Sequence, residues 1–170
     1  MITETQFVRN VLLGAVLALG PIASVPSMAA RATPTHSHHA VETRWGTRGD
    51  PSKVTRTVTI VGTEIKFNVT HLTFKKGETV KFVFVNKGEQ PHEFMIADAA
   101  EQAEHRKMMA DMAGAAMPVS HHDDEGNLVD AKPGETKELI WRFTKKGKFE
   151  FACNYIGHAE AGMIGTIDVR

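Results

Sequence analysis

From Val54 onward, hydrophobic and polar positions follow each other with the short period of β-strands. Val58-Thr59-Ile60-Val61 and Ile65-Lys66-Phe67-Asn68-Val69 are rich in β-branched and aromatic residues and are split by Gly62. Lys75-Lys76-Gly77-Glu78 reads as a turn. Val80 to Val85 then reads as a buried strand closed by Asn86-Lys87-Gly88. After a turn at Pro133-Gly134-Glu135, Leu139, Trp141 and Phe143 alternate with Glu138, Ile140 and Arg142. Lys145-Lys146-Gly147 turns the chain again. Phe149, Phe151 and Cys153 fall on one face of the next strand, Glu150 and Ala152 on the other. Gly165 to Val169 reads as a last strand. Short strands at regular spacing, with Gly and Pro turns, predict an all-β fold, a β-sandwich.

One stretch breaks the strand period. Asp98 is placed to cap a helix, with Glu101 three residues on as capping-box partner. Asp98, Glu101 and Glu104 come early, Arg106 and Lys107 later, as the helix dipole favours. Gly114 and Pro118 end it. The expectation is a helical insertion over about residues 98–113, before the last strands, followed by a polar loop, His121-His122-Asp123-Asp124-Glu125-Gly126.

The N-terminus carries a different signal. Val11 to Leu19 is apolar except for Gly14, Arg9 precedes it, and small residues follow at Ser27-Met28-Ala29 and Ala30-Arg31-Ala32. This pattern predicts a cleavable export signal over residues 1–29 and a periplasmic destination. Its apolar run is shorter than the roughly 20 residues a membrane-spanning helix needs. Residues 30–53 have no apolar period and predict a flexible segment containing His36, His38 and His39. The folded domain is expected over 54–170.

Charge adds little: Lys plus Arg and Asp plus Glu number 20 each in 170 residues, which gives no reason to expect a nucleic-acid surface. Three residue counts matter more. There are nine histidines, eight methionines and a single cysteine, Cys153. Exported cysteines normally pair, and one cysteine has no partner within its own chain. It is then either buried and inert or a metal ligand.

The surroundings of Cys153 favour the ligand. His158 and Met163 follow at short spacing, and Gly157 and Gly162, directly before them, let a short loop curl tightly. A thiolate, an imidazole and a thioether thus arise from eleven residues. Copper used for electron transfer takes two His and one Cys in a trigonal array with a weak axial Met. Zinc, which prefers Cys, His and carboxylate, fits less well. The best second histidine is His92, just past the buried strand, with Pro91 before it and Phe94 after it.

The run from Cys153 to Val169, Cys-Asn-Tyr-Ile-Gly-His-Ala-Glu-Ala-Gly-Met-Ile-Gly-Thr-Ile-Asp-Val, resembles the C-terminal copper loop of the cupredoxins. Its spacing is similar to that of rusticyanin and auracyanin, not to the shorter plastocyanin loop. The Lys-Lys-Gly-Glu-Thr-Val-Lys-Phe run, His-Glu-Phe and the Met-containing helix further resemble exported bacterial copper-resistance proteins of cupredoxin type. The resemblance covers about residues 54–170. It implies a Greek-key sandwich with one type 1 copper ion, His92, His158 and Cys153 as equatorial ligands and Met163 as axial ligand. Tyr155-Ile156-Gly157 departs from the Pro-Gly that relatives often carry there.

Further soft donors lie outside the loop. His105, Met108, Met109 and Met112 share a helix face, with Met117 beyond. That stripe is either core packing or a second copper surface, since thioethers select Cu(I). His121 and His122, and the tail histidines His36, His38 and His39, are further copper candidates. His71 reads as structural. The expected function is copper capture and buffering for copper tolerance, with an electron carrier between periplasmic redox proteins as the alternative. Expected partners are copper ions and a periplasmic redox or copper-handling protein. No nucleic acid is expected, and no membrane after signal cleavage. A small multicopper oxidase would need several His-x-His pairs, whereas the sequence offers His36-Ser37-His38 alone and no evident open metal position, so an enzyme is not expected.

Overall fold

The computed structural model describes residues 42–112 and 126–170. The proposed signal at 1–29, together with His36, His38, His39, Met117, His121 and His122, lies outside the described residues. Among the described residues, ten strands and one α-helix follow in the order β1 (Thr47–Arg48), β2 (Arg56–Thr63), β3 (Lys66–Phe67), β4 (His71–Phe74), β5 (Thr79–Asn86), β6 (His92–Ala97), α1 (Ala99–Asp111), β7 (Leu128–Ala131), β8 (Thr136–Arg142), β9 (Gly147–Ala152) and β10 (Ile164–Val169). A short 3-10 turn covers Pro51–Lys53.

The strands form two five-stranded sheets, β1-β8-β5-β2-β3 and β4-β10-β9-β6-β7. The pairs β2–β5 and β4–β10 are parallel and the others antiparallel. The result is the Greek-key sandwich with a helical insertion that the sequence predicts.

Alternation explains the core. Val80, Phe82 and Phe84 of β5 point inward while Lys81, Val83 and Val85 stay half-buried. From the opposite sheet come Phe74, Phe94 and Phe151. The Phe82 and Phe94 ring centroids are 5.2 Å apart, and the Phe74 and Phe143 rings stack at 4.7 Å. Such aromatic pairs add about 0.5–1.5 kcal/mol each beyond their area burial. On β10, Gly165 sits opposite Phe151 in the ladder, where a methyl group would overlap the Phe151 ring. Gly165→Ala is therefore expected to lower stability by about 1–3 kcal/mol through overpacking. Denaturant titration of the metal-free protein measures it, and an unchanged midpoint would contradict this packing.

Several local expectations change. Gly62 does not divide two strands. It lies inside β2, where the parallel ladder to β5 ends at Asn86 and the antiparallel pairing with β3 begins. Ile65 is in the turn, at φ 56°, which leaves only Lys66–Phe67 extended. Residues 42–53, expected in the flexible segment, join the fold. Thr47 and Arg48 pair with Arg142 and Trp141, and Trp45 is buried. Thr43 and Gly46 close a turn on each other, the Thr43 hydroxyl donating to Gly46 O at 2.8 Å. One aromatic anchor and two ladder residues suffice to fix a segment without periodicity.

Helix α1 begins at Asp98, whose side chain accepts the Glu101 amide proton at 2.9 Å. It lies against β6 and explains why all six β6 residues are buried. Phe94 and Ile96 face the aromatic core. Glu93 and Met95 face the helix, where Gln102 donates to Met95 O at 3.1 Å.

Candidate metal centre

β6 and β9 are antiparallel neighbours in one sheet, so the start of β6 and the end of β9 lie at the same pole of the sandwich. His92 opens β6, and Cys153 is the first residue after β9. Asn86, at the end of β5, pins the intervening loop. Its amide donates to Gln90 O (2.7 Å) and Ala131 O (2.9 Å), and its Oδ1 accepts from Gly88 N.

The loop from Cys153 to Met163 closes on itself. Cys153 N donates to Met163 O at 3.1 Å and Met163 N to His158 O at 2.9 Å. Gly157 (φ 82°) and Gly162 (φ 104°) take the left-handed backbone that the curl requires.

Three donor atoms converge here. Cys153 Sγ lies 3.3 Å from His158 Nδ1 and 3.8 Å from His92 Nδ1, and the two Nδ1 atoms are 3.3 Å apart. All lie within 4.8 Å of one another. Among the described residues this is the one such grouping of three or more His, Cys, Asp or Glu side chains. Met163 is fully buried at the base of the loop, and its methyl end fits against Gly62, where a Cβ would come within 3.2 Å.

The electrostatics suit a metal. Burial pushes the Cys153 thiol up to about 12, against the opposing effect of a hydrogen bond from Glu93 N to Sγ at 3.4 Å. Burial also holds His92 and His158 below the usual histidine range. The neighbouring His158 lowers His92 further while Glu64 opposes it, and Glu93 and Glu160 oppose the shift at His158. Each neutral imidazole keeps one ring-nitrogen lone pair able to bind a cation. The three atoms lie within hydrogen-bonding reach of one another, and a metal ion between them would take the place of the thiol proton. The thiol and two imidazoles, with a thioether on the same loop, match the donor types copper takes in its two oxidation states.

The helix stripe is arranged differently from the sequence expectation. Its buried residues are Gln102, His105 and Met109, with Met108 and Met112 half-buried at the edge. His105 faces Glu93, Nε2 to Oε2 3.3 Å. His71 is on the surface, its Nδ1 2.9 Å from Thr166 Oγ1.

Sequence reasoning passed over Glu93 and Asn154, which follow His92 and Cys153 in the chain. Both are buried. Glu93 Oε1 accepts from Asn154 N (2.8 Å) and Asn154 Nδ2 (2.7 Å). A carboxylate directly ahead of the apolar run Phe94-Met95-Ile96-Ala97 was the available sign, since a buried Glu needs partners.

A Greek-key sandwich with a cysteine–histidine metal centre at one pole defines the cupredoxin class. The chain belongs to the plastocyanin/azurin family of copper-binding proteins, whose family model matches residues 54–170. It is 41% identical over 136 residues to the copper-resistant cuproprotein CopI of Rubrivivax gelatinosus, covering 79% of this chain and 78% of that one. It is 32% identical to the copper-resistant cuproprotein CopI of Pseudomonas aeruginosa over 97% and 99% of the two chains. Among solved structures, an auracyanin of Roseiflexus castenholzii superposes with a TM-score of 0.56 at 21% identity, over 69% of this chain and 98% of that one, a likeness of fold.

Proposed function

We propose that this chain is a periplasmic type 1 copper protein that captures and buffers copper for copper tolerance. The observation that carries the reading is the convergence of Cys153 Sγ, His92 Nδ1 and His158 Nδ1 in a buried pole of the sandwich. In this reading those three side chains would hold one copper ion, with the Met163 thioether as a fourth donor. Bound copper supplies one-electron exchange between its two oxidation states. The chain's own residues exclude water, supply the thiolate and hold both imidazoles neutral. The resistance role is supported by the names of the CopI relatives. Export rests on the N-terminal sequence pattern. Among the described residues no helix is long and apolar enough to cross a membrane.

A second reading, an electron carrier, draws on one observation. Ile156 is 61% exposed two residues before His158, beside the exposed Gly157. An exposed apolar rim next to a ligand's ring suits transient docking of a redox partner. The two readings separate in a gene deletion. Tolerance predicts normal growth in ordinary medium and a clear growth defect under added copper, restored by the intact gene but not by Cys153→Ser. A respiratory defect without copper stress would instead favour the carrier.

A further inference from the structure

Helix α1 is more than a lid on β6. Three of its residues, at positions i, i+3 and i+4 and so on one face, reach the two residues that follow the ligands His92 and Cys153. Gln102 Oε1 accepts from Asn154 Nδ2 at 2.8 Å. Arg106 Nη1 donates to Asn154 Oδ1 at 3.1 Å. His105 Nε2 faces Glu93 Oε2 at 3.3 Å. Gln102, His105, Glu93 and Asn154 are all buried. Arg106 also approaches Glu160 (4.0 Å), inside the loop between His158 and Met163.

Glu93 couples this cluster to the metal donors. Its backbone amide donates to Cys153 Sγ, and its carboxylate takes the backbone amide of Asn154, the next residue along from that sulfur. Glu93 thus holds the sulfur through its backbone and the chain beside the sulfur through its carboxylate. A buried carboxylate held by several donors has little freedom, because each unmet hydrogen bond is costly in a water-poor interior.

We infer that Gln102, His105 and Arg106 are positioning residues of the copper site. Through Glu93 and Asn154 they fix the approach of the Cys153 sulfur and the path of the ligand loop, so the insertion helix sets how tightly, and in what geometry, copper is held. The inference rests on the copper reading above. It explains the one charged residue buried in β6, and it assigns His105 a partner other than copper.

The test uses the full chain loaded with Cu(II). Gln102→Leu and His105→Leu remove the polar contacts and keep an apolar body against β6. Both are expected to shift the thiolate-to-copper absorption and the Cu(II) electron paramagnetic resonance, and to speed copper loss to a chelator about 10- to 100-fold, the range typical when groups supporting a ligand are removed. His105→Gln, which can still donate to Glu93 Oε2, is expected to restore most of the wild-type release rate. Arg106→Ala, at a half-buried position, keeps the test open should either leucine variant fail to fold. It is expected to accelerate release by a smaller factor. Variants that lose thermal stability but keep the wild-type spectrum and release rate would show a cluster that only packs the helix, and would overturn the inference. Wild-type protein with no thiolate-to-copper absorption would sink the copper reading itself. The two failures are thus distinct.

Discussion

Cys153→Ser is expected to abolish the intense visible absorption of the copper-loaded protein while leaving the metal-free fold in place. The absorption arises from charge transfer between a thiolate and Cu(II), and Cys153 is the chain's single cysteine. Serine has nearly the same shape, and its oxygen can accept the Glu93 amide that now reaches Sγ. The stability cost is therefore that of burying one hydroxyl with a hydrogen bond available, about 1–3 kcal/mol. The effect on copper is far larger. A serine hydroxyl stays protonated where a thiol bound to copper ionises, so two neutral imidazoles and a thioether remain. Cu(II) should bind weakly, with the pale spectrum of nitrogen ligation. Absorption and electron paramagnetic resonance of copper-titrated wild type and variant measure this. A coloured Cys153→Ser protein would refute the ligand assignment. Met163→Leu makes a useful contrast: a thioether would bind more weakly than the thiolate and imidazoles, so colour should persist with altered band positions.

How much of this was legible beforehand differs between strands and site. Thr136–Arg142 was visible because its inward residues alternate with more open ones, and Thr79–Asn86 because its largely apolar run suits a strand covered on both faces. β4 (His71–Phe74) and β7 (Leu128–Ala131) were not. They are four residues each, too short to show a period, and are fixed by ladders to β10 and β6 that only the tertiary fold reveals. β1 escaped notice for the same reason, and Trp45 was its single apolar signal. The convergence of Cys153 and His158 was legible because they are close in sequence and Gly157 marks the bend between them. His92 was reachable because it follows a recognisable strand. The support from α1 was hidden. Helical spacing pointed to His105, Met108, Met109 and Met112, whereas the inward face is Gln102, His105, Arg106 and Met109. What tells them apart is the buried carboxylate on the neighbouring strand, a long-range fact. Periodicity finds a face, and partners decide what that face does.

Copper binding should release about one proton per ion at pH 7 to 9, and its apparent affinity should rise about tenfold per pH unit across that range. The sign follows from the thiol. In the metal-free fold burial pushes Cys153 up to about 12, so it is protonated throughout that window, whereas the copper-bound sulfur is a thiolate. Each binding event must therefore expel that proton. The imidazoles add none here. His92 and His158 are held below the usual histidine range by burial, so both are already neutral at pH 7. Only at more acidic pH do they protonate and compete with the metal, and the slope should then steepen beyond one proton. The same shift bears on the metal-free fold. A thiol whose folded value is raised stabilises the fold fully below its unfolded value, and that contribution is lost as pH rises towards 12. Binding by surface histidines gives a different result, because they are already neutral at pH 8 and release nothing. Calorimetric titrations of Cu(II) into metal-free protein, in buffers of different ionisation heat, count the protons directly. One proton per ion at pH 8 matches a buried Cys153 ligand. A count of zero would mean either that the thiol is already ionised in the metal-free protein or that copper is bound elsewhere, and in the second case Cys153→Ser would leave the binding heat unchanged.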